Sequence, residues 1–263
     1  MVLSGGVGKG GAARLAARGA LRIGAGLVTV GCPPAALQEN AGALDAVMVR
    51  ALKGGEGLAE ALGDKRINAL CIGPGLGVDR AAEMVAVALG GGGVEPRPTV
   101  LDADALTAMA GDAGLFGALH EKCVLTPHAG EFARLWPDIA EKLNAPAVKG
   151  PAYSKVDATR EAAARASCVV LFKGADTVIA DAQGRCSINA AQYERAAPWL
   201  ATAGSGDVLA GFITGLLARG FQPMQAAEAG AWLHVECALK FGPGLIAEDL
   251  PEVLPEVFRD LDV

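Results

Sequence analysis

The chain has few aromatic residues, no excess of positive charge and no long apolar run, and each deficit excludes a class of protein. Phe, Trp and Tyr make up only 5% of its 263 residues, so the interior must be built mainly from Ala, Val, Leu and Ile. A formal net charge of −6 provides no positive field, which argues against a general nucleic-acid or anionic-membrane partner. Because no stretch of about 18 apolar residues occurs, no transmembrane helix is predicted.

C-x-x-C pairs are also lacking, although the chain has six cysteines. They are widely separated and mostly lie within apolar runs, where a free cysteine behaves as a small hydrophobic residue: Cys32, Cys71, Cys123, Cys168, Cys186 and Cys237. We therefore expect reduced thiols in a cytoplasmic protein. The N-terminus has no basic start followed by a long apolar region, so the chain is expected to be soluble and not exported.

The chain does contain a regular alternation of short apolar, β-branched segments with longer segments rich in Ala and Leu. This alternation predicts an α/β fold in which helices cover both faces of a mostly parallel sheet. The predicted strands are Val2–Ser4, Leu27–Val30, Ala69–Ile72, Thr99–Asp102, Cys123–Thr126, Val169–Phe172, Thr177–Ala180 and Cys186–Asn189. The predicted helices are Ala12–Ile23, Arg80–Leu89, Lys155–Ala166, Asp207–Ala218, Gln225–Lys240 and Pro251–Arg259. The last three strands follow one another closely, so we expect an antiparallel edge.

The length of the chain allows one large domain or two small ones. Segment Gly90–Pro98 has the composition of a linker, but it separates a helix from a strand that the alternation requires in one sheet. We therefore predict a surface loop there and a single domain over residues 1–263. The chain begins almost directly with a strand and a glycine cluster, which suggests a missing N-terminal segment or one part of a longer protein.

The N-terminal sequence GGVGKGGAA imitates two phosphate-binding loops without satisfying either pattern. Its glycines match G-x-G-x-x-G after a strand, but no acidic residue follows at Val28–Pro34, where a ribose-binding carboxylate belongs. Lys9 is followed by Gly10 instead of Ser or Thr, and the glycine spacing differs from that of a P-loop. Neither a classical dehydrogenase nor a P-loop enzyme is indicated, although the backbone near Gly11 and Ala12 could still approach a ligand.

Four later apolar segments each run into a glycine-rich or polar turn. They are LCIGPGLG ending at Gly77, VLDADAL with Asp102 and Asp104, VLTPHAGE ending at Glu131, and VVLFKGADT ending at Thr177. In an open α/β sheet, ligands bind beyond the carboxyl ends of the strands. We therefore expect these turns to share one rim and to form one site.

Each turn also has a purely structural interpretation, and both interpretations stay open. The glycines of GPGLG fit a close approach to a ligand or a tight strand-to-helix turn. His128 could hydrogen-bond a substrate or be an ordinary turn histidine, and the ordinary role is the simpler one for His120 and His234. Asp102 and Asp104 share one face of a strand and could hold a hydrated Mg²⁺, but helix capping by Asp104 is the favoured explanation.

The most informative stretch is ATAGSGDVLAGFITGLLARG, in which a glycine-rich turn, an aspartate and a long apolar helix follow one another. Gly204 and Gly206 allow a close approach of the backbone, and a helix beginning at about Asp207 would turn unpaired amides toward an anion. Asp207 could accept a proton from a hydroxyl that reacts at a phosphate, or it could simply cap the helix. Lys173 could bind nucleotide phosphates beside the hydroxyl of Thr177, or it could be an exposed charge.

Taken in order, these motifs make the chain resemble the ADP/ATP-dependent NAD(P)H-hydrate dehydratase family of the ribokinase-like superfamily. The resemblance runs from the glycine cluster through LRIGAGLVTV, IGPGLG, LDADAL, LTPHAGE, KGADT and AGSGDVLAG to GLIAEDLPEVLP. It implies a three-layer α/β/α sandwich that repairs damaged nicotinamide cofactors. A nucleotide would phosphorylate the hydroxyl of hydrated NADH or NADPH, and loss of phosphate would restore the double bond.

The resemblance also implies roles for individual residues. By motif, Asp207 would be the catalytic base, and Ala12, Gly77, His128 and Asp207 would contact the hydrated dinucleotide. The adenine nucleotide would be bound by Lys173, Gly174, Ala175, Asp176, Thr177 and Gly206. ADP or ATP would serve as co-substrate with Mg²⁺, and no residue is assigned as a ligand of the metal.

Partners are implied in the same way: a homo-oligomer, and an epimerase that interconverts the two epimers of the hydrate. The chain has no room for an epimerase domain, so a separate protein or a removed N-terminal half would supply it. The first glycine motif reads GGV where many relatives read GGS. Two other functions are retained: a ribokinase-like kinase of a small alcohol such as a vitamin precursor, and a non-catalytic nucleotide-binding or assembly protein.

Overall fold

The structure, a computed structural model, describes residues 1–148 and 150–262. These residues form a nine-stranded sheet with the strands β1 (Val2–Leu3), β2 (Thr29–Cys32), β3 (Met48–Ala51), β4 (Leu70–Ile72), β5 (Thr99–Leu101), β6 (Cys123–Leu125), β7 (Val169–Phe172), β8 (Asp176–Ala180) and β9 (Cys186–Ala190). The strands lie side by side in the order β3-β2-β1-β4-β5-β6-β7-β8-β9. The pairs from β3 to β7 are parallel, and β8 and β9 form the expected antiparallel edge.

Helices cover both faces of this sheet. They are α1 (Gly11–Arg22), α2 (Leu37–Ala41), α3 (Gly54–Leu62), α4 (Val78–Ala88), α5 (Asp104–Ala110), α6 (Ala113–Gly117), α7 (Ala129–Leu135), α8 (Pro137–Asn144), α9 (Lys155–Ala166), α10 (Ser205–Ala218), α11 (Pro223–Phe241) and α12 (Asp249–Asp260). One apolar core lies beneath α1, α10, α11 and α12, and the second lies beneath α3, α4, α5 and α7 to α9. The predicted three-layer α/β/α fold is therefore confirmed.

The central strands contribute to both cores because successive side chains point to opposite faces of a sheet. In β4, Cys71 lies in the core beneath α10, whereas Leu70 and Ile72 lie in the other core. In β5, Val100 and Leu101 are divided in the same way. Strands that are buried on both faces need apolar residues at every position, which explains why these segments are continuous apolar runs in the sequence.

The structure differs from the sequence-based prediction at several boundaries. β2 begins at Thr29 and ends at Cys32, two residues later at each end than predicted. The edge strand β3 was not predicted, because its residues are partly exposed and Met48 is 56% exposed, so it lacks an apolar signal. The first turn of α10 starts at Ser205, two residues before Asp207. Segment Gly90–Pro98 connects α4 to β5, and β5 lies beside β4 in the same sheet. This is the arrangement that the prediction of a surface loop requires.

Glycines bring the backbones of α1 and α10 into direct contact. A Cβ atom at Gly211 would lie 2.1 Å from the carbonyl oxygen of Ala16, and one at Gly215 would lie 2.7 Å from the carbonyl oxygen of Ala20. Only glycine permits such distances. The first turns of the two helices, which contain Ala12 and Asp207, are therefore held close to each other.

Two expectations from composition concern the whole chain. All six cysteines are free, and five of them are buried, as their apolar surroundings in the sequence indicated. Within residues 1–148 and 150–262, no helix combines the length and the apolar character needed to cross a membrane.

Candidate active site

The candidate site lies at the carboxyl ends of the parallel strands, where the strand order changes direction between β1 and β4. Such a switch point is the usual ligand-binding crevice of an open α/β sheet. The loop after β1 and the loop after β4 meet there, since a Cβ atom at Gly5 would lie 2.0 Å from the carbonyl oxygen of Gly75. A Cβ atom at Gly75 would lie 3.4 Å from Cβ of Ala12. The predicted substrate residues Ala12, at the start of α1, and Gly77, in the loop after β4, thus lie where these two loops meet.

The glycine loop after β1 is held in place by side chains of α2. The Gly8 amide donates a hydrogen bond of 2.7 Å to Glu39, which also accepts one from Arg14 at 3.2 Å. The Gly8 amide and Arg14 lower the pKa of Glu39. The buried Asn40 accepts a further hydrogen bond from Arg14. Glu39 lies beyond Val28–Pro34, where a ribose-binding carboxylate was expected, and it binds the glycine loop itself.

The loop after β4 is tied to the next strand. Gly73, Gly75 and Gly77 all have positive φ angles, as a tight strand-to-helix turn requires. The Gly77 amide donates a 2.7 Å hydrogen bond to the carboxylate of Asp104. Asp104 is the first residue of α5 and makes no capping hydrogen bond there, so the capping interpretation is wrong. Its carboxylate fixes the neighbouring turn.

Asp102 and Lys173 form a buried ion pair in the centre of the rim. Nζ of Lys173 lies 2.8 Å from Oδ1 of Asp102, and the two side chains are 20% and 2% exposed. Although burial alone would lower the pKa of Lys173, the nearby carboxylates of Asp102, Glu131 and Asp207 raise it, so the ammonium stays charged. Ala103, between the two aspartates, has a φ of 48°, which is strained for a residue with a Cβ atom. The strained residue therefore directly follows Asp102, the carboxylate partner of Lys173.

This ion pair limits which residues could bind the predicted Mg²⁺. Asp102 is occupied by Lys173, and the described part of the chain contains no cluster of three or more His, Cys, Asp or Glu side chains suited to a metal ion. The residues therefore do not form a metal cage of their own. A Mg²⁺ ion carried on nucleotide phosphates keeps several water ligands, so it can be bound without such a cage.

Asp207 is the third residue of α10, and its surroundings disfavour the ionised form of its carboxyl group. Burial, followed by the negative charge of Asp102, raises the pKa of Asp207 to about 6, although Lys173 partly offsets this rise. Gly204, just before the helix, has a φ of 88° and provides no side-chain cap. The Ser205 amide donates a 3.4 Å hydrogen bond to the Thr202 carbonyl oxygen, whereas the amides of Gly206 and Asp207 lie outside the helical hydrogen-bond ladder and are available to an anion.

A cavity of about 340 Å³ opens beside this helix start. Five of the six predicted nucleotide residues line it: Lys173, Gly174, Ala175, Thr177 and Gly206. The sixth, Asp176, is turned away and forms an ion pair of 3.1 Å with Lys155. Most of the remaining wall comes from α10, α11 and the segment Pro198–Ala201. The cavity is therefore lined by most of the residues predicted to bind the nucleotide, although they belong to elements far apart in the sequence.

His128 caps a helix in this structure. Its Nδ1 accepts hydrogen bonds from the amides of Gly130 and Glu131, and Glu131 accepts one from the His128 amide. The side chain is 55% exposed, and its Nε2 lies 3.4 Å from a carboxylate oxygen of Glu131. The predicted substrate contact therefore has only Nε2 available, because Nδ1 is already occupied.

His234 is a residue of the site that sequence reasoning missed. It lies inside α11 and lines the cavity, and its Nε2 is 2.8 Å from the carbonyl oxygen of Ser205. Within an apolar helix a lone histidine carries no sequence signal, since the contact joins residues 29 positions apart.

Comparisons with known proteins identify the family of this chain. A family model described as NAD(P)H-hydrate dehydratase matches residues 1–254. The bifunctional NAD(P)H-hydrate repair enzyme of Moorella thermoacetica is 38% identical, and the match covers 100% of this chain and 49% of the relative. The corresponding enzyme of Salinibacter ruber is 35% identical over 94% of this chain and 45% of the relative. The chain thus spans about half the length of these curated relatives.

Solved structures give the same picture. The ADP/ATP-dependent NAD(P)H-hydrate dehydratase from Bacillus subtilis, co-crystallised with ATP/Mg²⁺, has a TM-score of 0.76 and 27% identity, with 98% of this chain and 88% of that chain covered. An ADP complex of Bacillus subtilis pyridoxal kinase has a TM-score of 0.52 and 14% identity over 87% of this chain and 86% of that chain. The second likeness concerns the fold alone.

Proposed function

Because this chain belongs to the NAD(P)H-hydrate dehydratase family, we propose that it dehydrates hydrated NADH or NADPH with ADP or ATP as co-substrate. The observation that carries this proposal is the position of Asp207. Its carboxylate, with a pKa raised to about 6, follows directly after Gly206, which lines the candidate nucleotide cavity. A base at the phosphate end of a nucleotide site is what transfer of a phosphoryl group to a hydroxyl requires.

The chemistry proceeds in two stages. The hydroxyl oxygen of the hydrate forms a bond to the terminal phosphorus, the bond to the departing nucleotide breaks, and Asp207 takes the hydroxyl proton. The ring C–O bond then breaks, inorganic phosphate leaves with the electron pair, and the adjacent ring carbon gives up a proton to solvent, which completes the double bond. Phosphorylation thereby converts a poor leaving group into a good one.

The residues at the cavity support this assignment by charge and position. Lys173 lines the cavity and stays charged beside Asp102, so its ammonium can attract phosphate oxygens. Gly206, in the first turn of α10, adds a backbone amide in a region where the helix dipole favours anions. Mg²⁺ bound to the nucleotide would neutralise part of the phosphate charge.

The substrate would lie on the other side of Asp207. The loops after β1 and β4 expose backbone at the switch point, and Ala12 reaches this region at the start of α1. Contact between α1 and α10 brings Ala12 and Asp207 to one place. Ala12, Gly77 and His128 are therefore proposed as contacts of the hydrated dinucleotide.

The direct test is to incubate the protein with hydrated NADH, Mg²⁺ and either ADP or ATP. We expect absorbance in the reduced-nicotinamide band to recover and one inorganic phosphate to appear for each dinucleotide repaired. Asp207→Asn should abolish both signals while circular dichroism stays unchanged. Folded wild-type protein that yields neither signal with either nucleotide contradicts the proposal. A stable phosphorylated alcohol would instead indicate the kinase alternative, which the dehydratase family model does not favour.

Wider assignments belong to the same proposal. We infer that an epimerase works with this protein, and the support is that the curated relatives are named as bifunctional repair enzymes and are about twice as long as the match. A cytoplasmic location, a single domain over residues 1–263 and a homo-oligomer are proposed with it. Size-exclusion chromatography with light scattering tests the last of these, because a monomeric mass would contradict it.

A further inference from the structure

His234 is buried where α11 meets the start of α10. It is 7% exposed, yet it lines the candidate nucleotide cavity. Its Nε2 lies 2.8 Å from the carbonyl oxygen of Ser205, the first residue of α10. A buried histidine at this position needs an explanation, because an aliphatic side chain would fill the same space without the cost of burying a polar ring.

The geometry determines which nitrogen carries the proton. A carbonyl oxygen can only accept a hydrogen bond, so Nε2 of His234 must donate. Burial, with a smaller effect of the Lys173 ammonium, lowers the pKa of His234 to about 4, so the ring is neutral near pH 7. Phe212 of α10 meets the ring edge to face, with centroids 6.2 Å apart and an interplanar angle of 83°. The ring is thus held as the tautomer protonated at Nε2.

Ser205 is also held from a second direction. Its hydroxyl donates a 2.7 Å hydrogen bond to the carbonyl oxygen of Leu200, in the segment that forms another wall of the cavity. Gly204, in the capping position, contributes no side-chain hydrogen bond to the helix. Two side-chain hydrogen bonds thus hold Ser205, one from His234 and one to Leu200, in addition to the 3.4 Å bond that the Ser205 amide donates to the Thr202 carbonyl oxygen.

We propose that His234 is a positioning residue for the nucleotide site: its Nε2–H fixes the Ser205 carbonyl and thereby aims the amides of Gly206 and Asp207, with the Asp207 carboxylate, at the bound phosphate. This inference rests on the proposed function only in taking the cavity as the nucleotide site. A side chain with a donor at the same point should serve in its place, and an apolar side chain of similar volume should not.

Three variants separate this role from packing. His234→Gln keeps an N–H donor near the position of Nε2, and His234→Leu removes it. Leu233→Ala is the matched control, because Leu233 is the next residue of α11 and equally buried but does not line the cavity. For His234→Leu we expect ADP affinity, measured by calorimetry, to fall about tenfold or more and kcat to fall as well. His234→Gln should recover most of both losses.

Leu233→Ala should lower the melting temperature but leave ADP affinity and kcat within about twofold of wild type. Equal ADP affinity in His234→Leu and wild type overturns the proposal. Failure of Gln to restore what Leu removes also overturns it. Since ADP affinity is measured without turnover, a protein that binds ADP but repairs no hydrated NADH contradicts the proposed function and leaves this test intact.

A measurement on the wild-type protein covers the case in which the His234 variants do not fold. The chain has only three histidines, so ¹⁵N-labelled imidazole resonances are few. We expect one ring protonated at Nε2 and not titrating above about pH 5, with its Ser205 hydrogen bond perturbed when ADP binds. The assignment is contradicted if the ring that does not titrate is protonated at Nδ1, or if all three rings titrate near the ordinary histidine value.

Discussion

At the scale of single residues, the pKa of Asp207 governs when the proposed base is active. A carboxylate accepts a proton only when it is ionised, and burial with the nearby Asp102 raises this pKa to about 6. We therefore expect kcat/KM to fall as the pH drops below about 6. Asp102→Asn should move this acid limb to lower pH, because it removes a like charge and leaves the Lys173 ammonium without its partner.

The control for this pH profile is Asp79→Asn, which alters an exposed carboxylate in the first turn of α4. Its acid limb should coincide with that of wild type. A limb that stays in place in Asp102→Asn means that Asp102 does not influence the proposed base.

The same pKa makes a prediction about stability. Asp207 has a raised pKa when folded, so the folded state binds more protons between about pH 4 and 6, and stability is lost as the pH rises through that window. At pH 7, Asp207→Asn should abolish turnover and yet stabilise the fold by about 1 kcal/mol after allowance for solvent screening, or roughly 2–4 °C in melting temperature. At pH 4 the difference should vanish in thermal scans. A variant less stable than wild type at pH 7 contradicts this reasoning.

How far single residues could be predicted depends on how local their roles are. Gly206 and Asp207 are recognisable because the turn, the helix start and the carboxylate are adjacent in sequence. Glu39 and His234 escaped prediction, because each acts on a backbone group about 30 positions away. Asp104 was misassigned for the same reason, since its partner is the Gly77 amide in the loop after β4.

At the scale of elements, the contact between α1 and α10 fixes the position of Ala12 relative to Asp207 in the proposed site. A methyl group at Gly211 would overlap the backbone of Ala16, so the helices would have to separate. We expect Gly211→Ala to destabilise the fold by about 1–3 kcal/mol and to raise KM for hydrated NADH, because Asp207 moves away from Ala12. Gly117→Ala is the control: this glycine is helical and has no atom within 4 Å of an added Cβ.

Chemical denaturation and steady-state kinetics measure these effects. Gly117→Ala should change stability by no more than about 0.5 kcal/mol and leave KM unchanged. If Gly211→Ala and Gly117→Ala behave alike, the close packing of the two helices has no consequence for the site.

Helices and strands could be predicted where their burial produces an apolar pattern in the sequence. The strands between helices on both faces are continuous apolar runs, and all eight predicted strands correspond to strands of the sheet. β3 at the edge, with an exposed Met48, has no such pattern. The short helices α2, α3 and α5 to α8 were also missed, because fewer than three turns give little amphipathic periodicity.

At the scale of the whole molecule, both cores share the same strands, so neither layer of helices can persist without the sheet. We expect residues 1–263 to unfold in one cooperative transition. Trp136 belongs to one core and Trp232 packs against the other, so variants that keep only one of these tryptophans report on each layer. Their fluorescence transitions in denaturant should coincide, and separated midpoints contradict a single cooperative unit.

The packing of α1 against α10 also has a consequence for synthesis. Ala13, Ala16 and Ala17 of α1 are fully covered in the finished protein, and much of that cover comes from α10, which begins only at Ser205. At ribosomal rates of roughly 5–20 residues per second, α1 waits on the order of 10–40 s for α10 to emerge. We therefore expect a nascent chain stopped before Ser205 to bind ribosome-associated chaperones through this apolar stripe, and to release them once the Gly-Ser-Gly-Asp turn and its helix have been translated.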